Sequence, residues 1–553
     1  MRFKSTPKTE KIKLFRIALL ASALIACTKF SVADIKITLD PMDGSSVSDI
    51  VKIAARVESV ADIDRVEFKL DQKEVIISRS VPYQFVWDTI KDTEGQHSLA
   101  ITAFDSKGES KLITAAFKVD NDLNLGGDAL AAKAKSAHEQ GKEEDAVRYI
   151  RRALKAAPGN LTASLLSAEI AASVSDWNQA AGTLEKADGL EKSAEALHKL
   201  STYKIMQALM PQNSAQLEEG LAAAVDYRRK SEALNVDMVR QKYSDSSVAS
   251  CIVNGDALLQ AGRFSEAAVV YMKPGDPLSV PTSLTARLGL AFTLDNRPEE
   301  TFTLFRPLFR AKMNDTAIDT VQGLTLLRTG QFEASRAAIS KALLEHVPGA
   351  EIVSSLISLT EGKKSLANGE ALSASAKLGE SADAAYAVAI TSTDPHIADS
   401  SLINAMTLSP LQPGPYLEMA TRILQQKRPD KFDQAYQLIE LSLSLDKENI
   451  RAKLMRTLLL LEQNKINIAE SVIADLTKKK INTPDYLATL AVYWNVKHNP
   501  EFANRSMAAA RKLDAVHFSF DLPGTPLDLL NILNRKIHYR TGAFLGTSSL
   551  FTH

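Results

Sequence analysis

Side chains suited to chemistry are sparse in this sequence and far apart. Nine histidines occur singly, at His97, His138, His198, His346, His396, His498, His517, His538 and His553. No two lie three or four residues apart, the spacing that sets two imidazoles on one helical face toward a metal. Two cysteines, Cys27 and Cys251, cannot build a disulfide framework or a four-cysteine zinc site. The sequence holds no phosphate loop ending in Gly-Lys-Ser/Thr, no His-Glu-x-x-His and no Gly-x-Ser-x-Gly elbow. Asp88 and Asp105 invite calcium, but calcium needs about six to eight oxygens, and turn aspartates ordinarily bond their own backbone. Trp87 is a candidate for stacking on a sugar ring, weighed against a plain core role. Acid pairs such as Glu299-Glu300 read as solvated helix charges. The expectation is a non-enzyme with no cofactor and no metal.

The elements that carry these residues follow from composition. The 553 residues hold 66 Lys+Arg against 66 Asp+Glu, with 45% hydrophobic and 6% aromatic residues. A zero balance argues against nucleic acid as a partner, which would call for a basic excess. Met1 to Lys13 is basic, and an apolar run from Ile17 to Ala26 follows. That run, at roughly 15 Å of helix, is too short for a hydrocarbon core of about 30 Å. Residues 1–33 therefore read as a secretory signal peptide, with Ser31-Val32-Ala33 before the cut. Leu24-Ile25-Ala26-Cys27 also resembles the lipobox of bacterial lipoproteins, which implies a signal of 1–26 and a lipidated Cys27 as membrane anchor. Thr28 after that cysteine implies, by the same resemblance, the outer membrane. Removing residues 1–26 leaves 60 basic against 65 acidic residues, a net of −5. The expected location is exported: periplasm, outer-membrane lipoprotein or cell surface.

Residues 34–120 alternate in short runs separated by turn residues. Val66-Glu67-Phe68-Lys69-Leu70 has a clean period of two. The strands expected are Ile35–Leu39, Ile50–Val57, Val66–Leu70, Val75–Ile77, Tyr83–Trp87, His97–Phe104 and Lys111–Val119. That spacing predicts an all-β sandwich. Pro82-Tyr83, Trp87-Asp88-Thr89, Gly95-Gln96-His97 and Ala103-Phe104-Asp105 with Gly108 resemble the bacterial Ig-like repeats of exported proteins. Such modules serve as spacers, adhesion units or carbohydrate-binding appendages, so the resemblance implies fold far more than function.

Residues 121–128, with Gly126-Gly127, read as a linker and flexible joint. From 129 to 515 a helical period takes over. Ala134, Gly141, Ala146, Ile150, Ala153 and Pro158 fall at the spacing of the 34-residue tetratricopeptide (TPR) pattern. The pattern returns at Gly255, Gly262, Ala267 and Tyr271, and at Gly323, Gly330, Ile339, Ala342 and Pro348. It weakens over 191–247 and 349–415. The chain thus resembles TPR proteins, which implies an all-α solenoid of roughly ten or eleven helix pairs whose first helices line a groove. Groove-facing candidates are Lys135, His138 and Glu139; Asp256, Leu259 and Gln260; Leu324, Leu327 and Arg328; and Val492, Asn495 and Val496. They lack the basic set that chaperone-binding relatives use as a two-carboxylate clamp. Residues 516–553 read as a capping segment or tail, with Leu527 to Lys536 a short helix.

The functional expectation is a protein-binding scaffold or adaptor of the bacterial cell envelope, the groove holding envelope proteins and the Ig-like module acting as spacer or tether. The alternative is a surface carbohydrate-binding or adhesive protein working through the Ig-like module and Trp87.

Overall fold

The computed structural model describes residues 35–533, apart from 72, 74, 211–215, 277–278, 313–314, 516–517, 519–522 and 531. The chain divides into two compact units, residues 1–166 and 167–553.

In the first unit, period-two segments form strands because alternate side chains point to opposite faces of a pleated sheet. The strands are β1 Lys36–Asp40, β2 Ser46–Val47, β3 Ile50–Glu58, β4 Ile63–Leu70, β5 Val75–Ser78, β6 Tyr83–Asp88, β7 Gly95–Asp105 and β8 Ser110–Val119. One sheet runs β1-β3-β6 and the other β2-β8-β7-β4-β5. The pairs are antiparallel except β2 with β8. Val66 and Phe68 of β4, Leu99, Ile101 and Ala103 of β7, and Tyr83, Phe85 and Trp87 of β6 fill the space between the sheets. The two-residue β2 falls between the expected strands Ile35–Leu39 and Ile50–Val57, where the sequence pattern predicts no strand. Its backbone pairing with Lys118 and Val119 depends on a partner 72 residues away, which local pattern does not encode.

Two helices belong to the same unit: α1 Gly127–Glu139 and α2 Glu143–Ala156. Residues 121–128, expected as a flexible joint, are tied down. Asn121 Oδ1 accepts from the Asp49 amide at 2.8 Å, and Glu94 Oε1 accepts from the Asn121 and Leu123 amides at 2.8 and 3.1 Å. Leu123–Leu125 forms a 3-10 turn. Arg152 of α2 is buried; its Nε donates to Asp49 Oδ1 at 3.1 Å and its Nη1 to Asp122 Oδ2 at 3.0 Å. Arg151 donates to Asp88 at 2.6 Å. The sandwich and the first helical hairpin are therefore joined by fixed ion pairs.

The remaining helices are α3 Leu161–Ser173, α4 Trp177–Leu184, α5 Ala194–Ala208, α6 Leu217–Lys242, α7 Val248–Gln260, α8 Phe264–Tyr271, α9 Thr282–Leu294 and α10 Pro298–Arg310. Then come α11 Thr316–Arg328, α12 Phe332–Ala338, α13 Ser340–Leu344, α14 Pro348–Thr360, α15 Lys364–Leu378, α16 Ala382–Thr391 and α17 Pro395–Leu408. The last are α18 Pro413–Gln425, α19 Phe432–Leu445, α20 Ile450–Glu462, α21 Ile466–Lys478, α22 Pro484–Val496 and α23 Pro500–Leu513. With α12 and α13 as one broken helix, α1 to α23 make eleven helix–turn–helix units in chain order among the described residues.

Local chemistry sets their ends. Asp176, Ser193, Ser247, Asp315, Ser381, Asp394, Asn449, Thr483 and Asn499 each cap a helix start by accepting a backbone N–H. Pro298, Pro348, Pro395, Pro413, Pro484 and Pro500 begin helices where no intrahelical donor is needed. The 34-residue period has a packing cause. Gly255, Gly289 and Gly323 stand 34 residues apart, and each lies under the residue sixteen further on. A Cβ there would meet Tyr271 at 2.1 Å, Phe305 at 2.2 Å and Ile339 at 2.2 Å. Only glycine lets the two helices of each pair close on that side chain.

The long helix α6, 26 residues against 15 and 13 in its neighbours, lies in the stretch where the repeat pattern fades. The stretch 349–415 also drifts in sequence, yet α14–α17 keep the paired geometry because small residues such as Ala371, Ala374, Ala384 and Ala387 still sit at the crossings. At the C-terminal end Phe518, Leu527, Leu529, Leu530 and Leu533 join the core of Val492, Met507 and Ala510. The Leu527 amide donates to Glu462 at 3.3 Å, and Lys427 reaches Asp528 at 2.8 Å.

Candidate partner-binding surface

The first helices of the pairs are mostly buried, and this decides what they can present. On α1, Lys135 and Glu139 are exposed and His138 is half-buried, its Nδ1 2.9 Å from Glu143. These three remain available at a surface.

Of the three α7 candidates, Gln260 alone is exposed. Asp256 is a structural pin: Tyr271 donates its hydroxyl to Oδ1 at 2.5 Å, and Arg287 Nε donates to the same oxygen at 2.9 Å. Burial pushes the Asp256 carboxyl above its ordinary range, with Arg287 and Tyr271 opposing. Leu259 is core, and so are Leu324 and Leu327 of α11 and Val492 of α22. The groove expectation fails at these four leucine and valine positions. A 13-residue helix flanked on both sides by neighbouring pairs buries more than one stripe of side chains. Asn495 is exposed and Val496 half-buried. Arg328 is half-buried at the end of α11 and feels Asp446, at the end of α19. Burial lowers its pKa, and Asp446 partly offsets that.

Trp87 is 3% exposed and does not face a ligand. Its indole lies against Phe85, His97 and Phe117, with centroids 6.4, 5.4 and 6.4 Å away, and its Nε1 donates to Asp92 Oδ2 at 2.7 Å. The sugar-stacking expectation is corrected accordingly: the ring is buried among core side chains and offers no open face to a sugar. Asp88 is held by Arg151, while Asp105 accepts from the Lys107 and Glu109 amides at 3.0 and 2.8 Å. Cys27 lies outside the described residues. Cys251 is buried, and burial raises its thiol above the ordinary value. Among the described residues, no cluster of three His, Cys, Asp or Glu could hold a metal.

Sequence reasoning missed a buried polar cluster across α16, α18 and α20. Arg451, 2% exposed, donates Nη2 to Thr421 Oγ1 at 3.1 Å and lies 3.5 Å from Glu418. Arg422 Nε stands 3.4 Å from the same Glu418 carboxylate, and its Nη2 donates to the Ala389 carbonyl at 2.7 Å. Tyr386 is buried beside them, its phenol held far above the usual range by burial. The signal was present: Glu418 and Arg422 are an i,i+4 pair inside an otherwise apolar helix. Arg422 also pairs with Asp399, so two guanidiniums face two carboxylates, and these bonds tie α16, α17, α18 and α20 together.

A recess of about 300 Å³ opens between α19, α20 and α21. Glu440, Lys447, Lys453, Arg456, Ser471 and Asp475 supply its polar lining. Lys453 pairs with Asp475 at 3.0 Å, and Arg456 Nη2 reaches the Tyr436 hydroxyl at 3.3 Å. The hydrogen bond from Lys453 holds the Asp475 carboxyl below its usual range. Such a recess has the size and lining to seat a polar side chain.

The comparisons fall on the sandwich first. Residues 35–101 match the family model of the bacterial Ig domain. No curated protein matches the sequence. Among solved structures, the chain is similar to one in the crystal structure of the APC/C hetero-tetramer Cut9–Hcn1, at 12% identity over 73% of this chain and 96% of that one, TM-score 0.42. It is similar to the human IFIT1 dimer with PPP-AAAA, at 15% identity over 64% and 90%, TM-score 0.31. The fibronectin(III)-like modules of Clostridium thermocellum CbhA match at 28% identity over 15% of this chain and 93% of theirs, TM-score 0.12. The architecture is an N-terminal β-sandwich that matches the bacterial Ig domain over residues 35–101, followed by helix pairs whose glycines recur every 34 residues.

Proposed function

We propose that this chain is a non-enzymatic, protein-binding scaffold of the bacterial cell envelope. The observation that carries the reading is the array itself: eleven helix pairs among the described residues, whose first helices expose Lys135, Glu139, Gln260 and Asn495. Stacked pairs give a long, repetitive surface suited to extended contact with another protein. The Ig-like sandwich is fixed to α2 through Arg151 and Arg152, which suits it to act as a tether. The basic and apolar residues 1–33 support export, and Cys27 is the proposed lipid anchor.

Cross-linking in a bacterial envelope followed by purification of the full chain tests this. The expected outcome is a protein recovered with wild type and reduced at least several-fold by Lys135→Glu with Asn495→Arg. Equal recovery from both, or residence of the chain in the cytoplasm, removes the reading. Palmitate incorporation lost in Cys27→Ala supports the anchor; unchanged labelling removes it.

A further inference from the structure

A repeat array ordinarily touches itself only between neighbours. The unit from residue 167 onward departs from this. α5 packs on α17, and α6 packs on α19. Ile205, Leu221, Ala224 and Val225 share one core cluster with Met406, Tyr416 and Leu417.

The polar half of this contact is carried by two adjacent arginines on α6. Arg228, 3% exposed, donates Nη1 to the Leu408 carbonyl at 3.2 Å and Nη2 to the Thr407 carbonyl at 3.1 Å. Both carbonyls end α17. Arg229 donates Nη2 to the Ser444 carbonyl at 3.3 Å, next to the end of α19. The last carbonyls of a helix have no intrahelical donor and carry the negative end of its dipole, so a guanidinium suits them. These bonds join residues 179, 180 and 215 positions apart.

The contact is also incompletely satisfied. Arg228 Nε is buried without a hydrogen-bond partner among the described residues. Arg228 and Glu232, one turn apart at 3.8 Å, are both almost fully buried. Burying such a pair carries a desolvation cost that Coulomb attraction only partly offsets. A contact that holds through two carbonyl ends, at that cost, is poised to open more readily than the leucine core around it.

We propose that Arg228 and Arg229 form a latch that closes the helical array on itself, with α5–α6 held across the ends of α17 and α19. Release of the latch separates these elements and uncovers Leu221, Val225, Met406 and Tyr416, while each helix pair stays folded. The array then has a closed and an open state rather than one fixed curvature.

Small-angle X-ray scattering on the full chain reads the change. Arg228→Met keeps side-chain volume and removes both carbonyl bonds. The expected result is a larger radius of gyration than wild type with unchanged helical circular dichroism. An unchanged radius in a fully helical variant overturns the latch. If Arg228→Met does not fold, Arg229→Ala decides, since Arg229 is exposed. Amides of α5, α6 and α17 should then exchange about tenfold faster, with α9–α11 unchanged. Wild-type exchange rates in α5 and α6 overturn the proposal. Arg240→Ala, on the same helix but paired only with Glu266, is the control and should behave as wild type.

Discussion

Buried polar residues at the end of the Ig domain show how chemistry-bearing side chains can serve structure alone. His97 donates Nδ1–H to Asp71 Oδ2 at 2.5 Å and, as the imidazolium, Nε2–H to the Thr93 carbonyl at 2.7 Å. Burial alone would lower the imidazole pKa, but the bonds to Asp71 and Thr93 outweigh it and hold the pKa above the ordinary value. Asp71 and Asp92, raised by burial but lowered more by His97, Lys73 and Trp87, stand below the usual carboxylate range. A raised histidine pKa stabilises the fold fully below its unfolded pKa of about 6.5 and is lost as pH rises through the folded value. Lowered carboxylate pKa values stabilise above about 4 and are lost on further acidification. Unfolding of the Ig-containing unit followed by Trp87 fluorescence should therefore show declining stability above about pH 6.5. His97→Gln should flatten that alkaline limb and weaken the acid one only in part, since Lys73 and Trp87 still hold Asp92; an unchanged alkaline slope contradicts the assignment. The sequence displayed His97 as one more scattered histidine. Its partner sits 26 residues away, across strands whose register no local pattern reveals.

At the scale of elements, the sequence was most legible where geometry repeats. The strands announced themselves by period two, and the 34-residue spacing of Gly255, Gly289 and Gly323 reported the close helix crossing directly. What it did not reveal was which faces stay open. Leu259, Leu324, Leu327 and Val492 were candidates for a groove and are core, because burial of a helix depends on neighbours on both sides. The junction was equally hidden: Asp49, Asp122 and Arg152 are unremarkable alone and meet only in the fold. Removing Arg152 leaves Asp49 buried without its cation, which costs about 3–5 kcal/mol for such a pair. In a chain of residues 35–166, Arg152→Met should lower the urea midpoint for sandwich and hairpin together. A midpoint shift confined to helical signal, with the sandwich unchanged, would mean the two elements do not unfold as one.

Across the whole molecule, stability in a repeat array spreads by nearest-neighbour terms, and an exposed end frays. The C-terminal end is covered by Leu527, Leu529, Leu530 and Leu533 on the core of α22 and α23. Leu529→Asp places a charge at a fully buried site and should peel this cover away. In an open array the loss of protection would decay smoothly inward, pair by pair. Here α17 and α19 are also held by α5 and α6, far upstream, so the decay should stop short of them. Hydrogen exchange should thus rise by orders of magnitude in α23 and α22, less in α21, and little in α17–α19. Fraying that runs without interruption through α17 would show that the long-range contacts contribute no cooperativity. Combining Leu529→Asp with Arg228→Met should remove the stop and let the same fraying continue past α19, which ties the end of the array to the middle by a measurable coupling.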